Sequence, residues 1–190
     1  STQSRSSAAS DVYKRQGYTG EDGYELYVPA KAAAHLWQLL MDAGGEDLTP
    51  CGLACRDTLR LEAGMPLYGH ELGTDIHPSQ AGLGRVVNFK KEGDFVGRCA
   101  LENRDTTADR VLVGVAGEGR RAGRAGYAVV NEDKTVGAIT SGILSPTLGH
   151  PIAMAFVDPD VAKIGTSLSV DVRGKALNTT VVELPFYKRS

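Results

Sequence analysis

The sequence predicts an α+β chain in which a partial mixed domain with helices leads into a small antiparallel β-barrel. Three observations predict it. Two stretches before residue 64 have helical apolar spacing and recognisable ends. Six short apolar runs separated by turn signals follow residue 110, with almost no helical pattern between them. Finally, 23 glycines and only 6% aromatic residues suit a turn-rich, strand-rich protein.

The elements are expected in this order. Ser1 to Gln16 begins STQSRSSAAS, which is polar and of low complexity. It lacks the apolar run of a secretory signal. It is expected to be a disordered or non-native leader, with meaningful structure starting near Gly17. Tyr24 to Val28 alternates and predicts a strand. Pro29 to about Ala43 predicts a helix, because Ala33, Leu36, Trp37, Leu40 and Met41 make one apolar stripe. Gly44 and Gly45 stop it, and Trp37 is expected in the core. Thr49-Pro50 resembles an N-cap followed by a proline that opens a helix, and Gly64 marks its end. Apolar residues surround this second helix, so it is expected to be buried on most sides. Leu83 to Phe89 predicts a strand, and Phe95 to Asn103 a short helix.

RDTTAD, from Arg104 to Asp109, is polar and separates the expected domains, residues 17–105 and 106–190. The six barrel strands are predicted near residues 111–115, 126–130, 136–141, 152–157, 167–172 and 178–184.

Composition excludes several function classes. The formal net charge of -2 does not favour a general nucleic-acid binder, which needs a concentrated basic face. No run approaches the roughly 18 apolar residues of a membrane span. Cys51, Cys55 and Cys99 form no CxxC, and no histidine stands at a zinc-like spacing from them. They are expected to be small buried hydrophobes in a reducing cytosol, and no metal site is expected.

The chemistry concentrates in GYTGEDGYE, Gly17 to Glu25. Glycines beside a strand allow tight turns and close approach of a ligand. Glu21 and Asp22 lie in the turn, where acids stabilise bends. Glu25 lies inside the predicted strand, where an acid conflicts with local preference. Such conflicts mark functional positions. Its two oxygens can accept a paired donor set such as an amino-pyrimidine ring offers. Arg56 and Arg60 lie one turn apart on the second helix, beside Asp57. A structural ion pair and an anionic or carbonyl-bearing ligand are both open readings of Arg56. His70 and Glu71 read as loop residues.

Two further motifs fall short. GEGRRAG, Gly117 to Gly123, lacks the GK[ST] ending of a phosphate loop and sits between strands. It reads as a turn with exposed Arg120, Arg121 and Arg124, or as a weak dock for an acidic partner. SGILSPTLGHP, Ser141 to Pro151, contains serine and histidine but no GxSxG and no acid placed to orient His150. A rigid loop at one end of the barrel is the better reading.

GYTGEDGYELYVP, GLACRDTLRLEAGMPLYGHEL, DFVGR, TSGILSPTLG, PIAMAFV and the closing LPFYKR resemble the aminomethyltransferase of the glycine cleavage system, its T-protein. The resemblance covers Gly17 to Arg189 and only the later part of the family enzyme. It implies the C-terminal part of a folate-binding region over 17–105 and a C-terminal β-barrel after it. It also implies a fragment without the family's catalytic aspartate, which would lie in the missing first half; no residue here is assigned a catalytic role.

The family reaction moves a one-carbon unit from aminomethyl-lipoyl H-protein to the co-substrate tetrahydrofolate and releases ammonia. The resemblance therefore implies tetrahydrofolate and lipoylated H-protein as partners, with no nucleic acid or membrane. Glu25, Arg56 and Tyr187 are implied folate contacts. The location implied is the cytoplasm, or the mitochondrial matrix in a eukaryote. Two alternatives belong to related families. One is a non-catalytic folate-binding module, but the KGCYxGQE motif of such relatives is absent. The other is the folate domain of a flavin-linked dimethylglycine or sarcosine dehydrogenase.

Overall fold

The computed structural model describes residues 11–13 and 17–188, the first three by backbone alone. The chain divides into two compact units, Ser1–Leu59 with Arg189–Ser190, and Arg60–Lys188. This division lies well before the expected boundary at residues 105 and 106.

In the first unit, β1 (Asp11–Tyr13) pairs antiparallel with β2 (Glu25–Tyr27). Part of the expected leader thus forms a strand, while residues 1–10 and 14–16 of it lie outside the described residues. A short 3-10 turn, Ala30–Ala32, leads into α1 (Ala33–Gly44). The helix forms where its apolar spacing predicts, but its stripe is not a core. Trp37 is 56% exposed and Leu40 43%. No residue from 17 to 59 is buried. The expectation that Trp37 is buried fails because the described residues of the unit offer no second apolar layer to cover the helix.

Helix α2 (Leu53–Glu62) corrects a second expectation: only Arg60, Leu61 and Glu62 are buried, and Leu53 is 84% exposed. Its end is a Schellman cap. Gly64 adopts φ 69°, its N–H donates to Leu61 O at 2.9 Å, and Met65 N–H donates to Arg60 O at 2.8 Å. The cysteines also differ from expectation, since Cys51 and Cys99 are exposed and Cys55 is half-buried.

In the second unit, residues 65–97 are mostly irregular. The strand expected over Leu83 to Phe89 is instead turns and a 3-10 helix, Gly84–Val86. Local bonds prevail over a ladder there: Leu83 N–H donates to Pro78 O at 2.8 Å and Val86 N–H to Leu83 O at 2.9 Å. α3 (Arg98–Asn103) follows. The RDTTAD link is an ordered turn. Asp105 accepts Thr107 N–H at 3.0 Å and Thr107 Oγ1–H at 2.7 Å, bonds that hold its carboxyl below the usual aspartate range.

The barrel is closed and wholly antiparallel. Its strands are β3 (Val111–Gly117), β4 (Ala128–Asn131), β5 (Lys134–Leu144), β6 (Pro151–Val157), β7 (Ser167–Asp171) and β8 (Ala176–Val182). Their order around the barrel is β3-β6-β5-β4-β7-β8, closed by pairing of β8 with β3. Closure removes the unpaired edges that would invite aggregation. All six strands fall where the sequence predicts them.

Strand periodicity gives β6 two jobs. Ala153, Ala155 and Val157 fill the barrel with Val113, Val115, Val129, Ile139 and Val170. Ile152 and Met154 point the other way, into an outer cluster with Leu61, Leu184 and Phe186. Both faces are covered, so PIAMAFV is a nearly continuous apolar run. β5 needs a bulge to serve the same two clusters. Ile139 pairs with Ala155 but Ser141 pairs with Met154, so Thr140 is the extra residue. In a regular strand with Thr140 paired, Ser141 would share the face of Ile139 and enter the barrel. With the bulge, Ser141 turns to the outer cluster.

Candidate functional site

The predicted binding residues fall in different units. Glu25 and Arg56 lie in the first and Tyr187 in the second.

Glu25 opens β2 and is exposed. Tyr27, two residues along the same strand face, donates its hydroxyl hydrogen to Glu25 Oε2 at 2.9 Å. This leaves carboxylate lone pairs for an incoming donor and restricts the rotamer that presents them. In the preceding turn, Thr19 Oγ1 accepts the Glu21 N–H at 3.3 Å. A hydroxyl therefore helps shape the bend expected to depend on Glu21 and Asp22.

Arg56 is also exposed, on α2. Its guanidinium carbon stands 5.1 Å from the centre of the Tyr18 ring. That is within the range of a cation–π contact, which orients the planar fork while leaving N–H donors for an acceptor. The first unit thus offers an anionic acceptor and a cationic donor on exposed positions, each held by a tyrosine. Sequence reasoning missed both tyrosines. The i, i+2 spacing of Glu25 and Tyr27 was a usable signal; the approach of Tyr18 to Arg56, distant in sequence, was not.

In the second unit, Tyr187 is 36% exposed, and its N–H donates to Glu62 O at 2.9 Å. Nearby, Arg60 and Glu71 form a buried ion pair at 3.2 Å, with 1% and 0% of their side chains exposed. Arg60 also donates to Ser141 Oγ at 2.8 Å and to Met65 O at 3.2 Å. Glu71 Oε2 accepts the Leu67 N–H at 2.8 Å. His70 donates from Nδ1 to Thr140 O at 2.7 Å, a bond that fixes its tautomer because a carbonyl only accepts. Glu71 lies in a turn, as expected of a loop residue, but its carboxylate is buried in an ion pair, and Arg60 rather than Arg56 makes that structural pair.

The Ser141–Pro151 segment is the end of β5, a short loop over residues 145–150 and the start of β6. Ser145 Oγ donates to Glu62, and Leu148 N–H donates to Ser145 Oγ at 2.9 Å. His150 Nδ1 lies 3.2 Å from Pro151 O, and no serine–histidine pair forms with it among the described residues. On another part of the barrel, exposed Arg120 and Arg121 line an open hollow with Glu118, Gly119, Ala176 and Leu177.

Comparison with known proteins adds the family context. Residues 4–91 match the GCVT N-terminal domain, and residues 110–188 match the glycine cleavage T-protein C-terminal barrel domain. The first match begins inside the stretch expected to be a leader. The chain is similar to the aminomethyltransferase of Cutibacterium acnes, at 98% identity over 93% of this chain and 47% of that protein. It is also similar to the aminomethyltransferase of Streptomyces coelicolor, at 59% identity over 92% of this chain and 49% of that protein. A crystal structure of glycine cleavage system aminomethyltransferase T from Bartonella henselae superposes with TM-score 0.86 and 31% identity. It covers 97% of this chain and 51% of that one. The chain spans about half the length of the curated relatives it matches.

Proposed function

From the premise that this chain belongs to the glycine cleavage T-protein (aminomethyltransferase) family, we propose that it supplies tetrahydrofolate-binding groups and the barrel of such an enzyme. The reaction moves a one-carbon unit from aminomethyl-lipoyl H-protein to tetrahydrofolate. It releases ammonia and leaves methylenetetrahydrofolate and dihydrolipoyl H-protein. The observation that carries this reading is the 98% identity over 93% of the chain to a protein named aminomethyltransferase.

The local chemistry supports it. A carboxylate such as Glu25 matches the paired N–H donors of an amino-pyrimidine ring. A guanidinium such as Arg56 matches carbonyl or carboxylate acceptors on the same ligand. Tyr187 adds a half-exposed ring and a hydroxyl. These groups act by holding and orienting the co-substrate, so their contribution to rate is positioning and electrostatic preorganisation. The acceptor of tetrahydrofolate's reacting proton is assigned to no residue of this chain. Arg120, Arg121 and Arg124 offer an exposed basic surface for acidic groups of a protein partner. Among the described residues no helix is long and apolar enough to cross a membrane.

Calorimetric titration of tetrahydrofolate into the isolated chain checks the binding reading. Weak binding is expected, with a Kd on the order of 1 mM, equivalent to about 4 kcal/mol. No heat of binding at several times that concentration would contradict it.

A further inference from the structure

Glu62 is 2% exposed, and its carboxylate is committed to one loop between β5 and β6. Ser145 Oγ–H donates to Oε1, Thr147 N–H donates to Oε1 at 3.2 Å, and Thr147 Oγ1–H donates to Oε2 at 2.8 Å. The main chain of the same residue serves a different segment, since Glu62 O accepts the Tyr187 N–H at 2.9 Å.

Neighbouring residues reinforce the seat. A Cβ at Gly64 would lie 3.0 Å from Pro185 Cα, so the glycine permits close approach of the C-terminal tail. Leu61 packs in the outer cluster with Leu184 and Phe186. Gly114 of β3 leaves room for them, because a Cβ there would fall 2.8 Å from Leu184 Cδ2 and 3.0 Å from Phe186 Cε1. Residues 184–187 are thus held on the end of α2, while Tyr187 stays 36% exposed.

A buried carboxylate is an expensive way to seal an interface that apolar side chains could seal equally well. What a carboxylate with three donors provides is one fixed arrangement of helix end and loop. We infer that Glu62 is a positioning residue for Tyr187: its carboxylate pins the end of α2 to the β5–β6 loop, and its carbonyl pins the tail that presents Tyr187 to ligand. This rests on the reading of Tyr187 as a tetrahydrofolate contact.

The test is 19F NMR of the chain grown with 3-fluorotyrosine, the Tyr187 resonance being assigned by Tyr187→Phe, with tetrahydrofolate titrated to millimolar concentration. In the wild-type chain the Tyr187 resonance is expected to shift on titration. In Glu62→Gln the free resonance moves, and half-saturation needs about tenfold more tetrahydrofolate. Thr147→Ala, which removes one donor and keeps the carboxylate, acts in the same direction by about threefold. It decides the matter if Glu62→Gln does not fold. A purely structural clamp would lower the unfolding temperature and leave half-saturation unchanged; that result in Thr147→Ala and in folded Glu62→Gln overturns the inference alone. A wild-type chain whose Tyr187 resonance ignores tetrahydrofolate overturns the reading of Tyr187 and the inference with it.

Discussion

Arg60→Leu is expected to destabilise the unit of residues 60–188 by about 3–5 kcal/mol, the cost of leaving one member of a buried ion pair uncompensated. Arg60 and Glu71 are almost wholly excluded from solvent and stand 3.2 Å apart. Leucine keeps apolar bulk at the end of α2 but leaves the Glu71 carboxylate without its counter-charge. It also strips Ser141 Oγ and Met65 O of a donor. Arg60→Leu combined with Glu71→Leu is expected to recover much of the loss, because neither member of the pair is then left as an uncompensated buried charge. Hydrogen exchange of the barrel amides measures both variants within this unit. A loss below about 1 kcal/mol for Arg60→Leu would mean that water reaches the pair, as at an exposed ion pair.

Glu25→Gln is expected to weaken tetrahydrofolate binding about 10- to 100-fold, because a hydrogen bond to a charged acceptor contributes about 1.5–3 kcal/mol. Glutamine preserves the shape and one acceptor. It removes the charge and replaces the second acceptor with a donor facing the ligand's own donors. Stability should change by less than about 0.5 kcal/mol, since Glu25 is exposed and its described side-chain bond is to Tyr27. Calorimetry on a polypeptide that joins the first half of the Cutibacterium acnes relative to this chain separates the two effects. Unchanged affinity in that polypeptide would remove Glu25 from the site.

The barrel was legible because strand periodicity and turn residues act locally. PIAMAFV and TSGIL announce strands wherever they pair. The bulge at Thr140 was not legible, because it is settled by which cluster Ser141 must face, and that depends on Arg60, 81 residues away. Helix α1 was legible as a helix from its stripe, yet the burial of Trp37 was not, since burial needs a second layer that the stripe cannot specify. Glu25 stood out as an acid inside a strand pattern. Tyr18 and Glu62 did not, because their contacts with Arg56 and with the tail depend on tertiary approach rather than on spacing. The RLEAG run reads as helix and cap, with nothing in it to show that its arginine and glutamate each bind a different part of the barrel.

The proposed function has this chain working as part of an aminomethyltransferase, contributing ligand-binding groups and the barrel. Ammonia release from aminomethylated H-protein in the presence of tetrahydrofolate tests it most directly. It is measured with the chain alone, and with the chain joined to the first half of the Cutibacterium acnes relative. No ammonia above the uncatalysed rate is expected from the chain alone, and tetrahydrofolate-dependent turnover is expected from the joined polypeptide. Turnover by the chain alone, or none by a soluble, folded joined polypeptide, would contradict the proposed function.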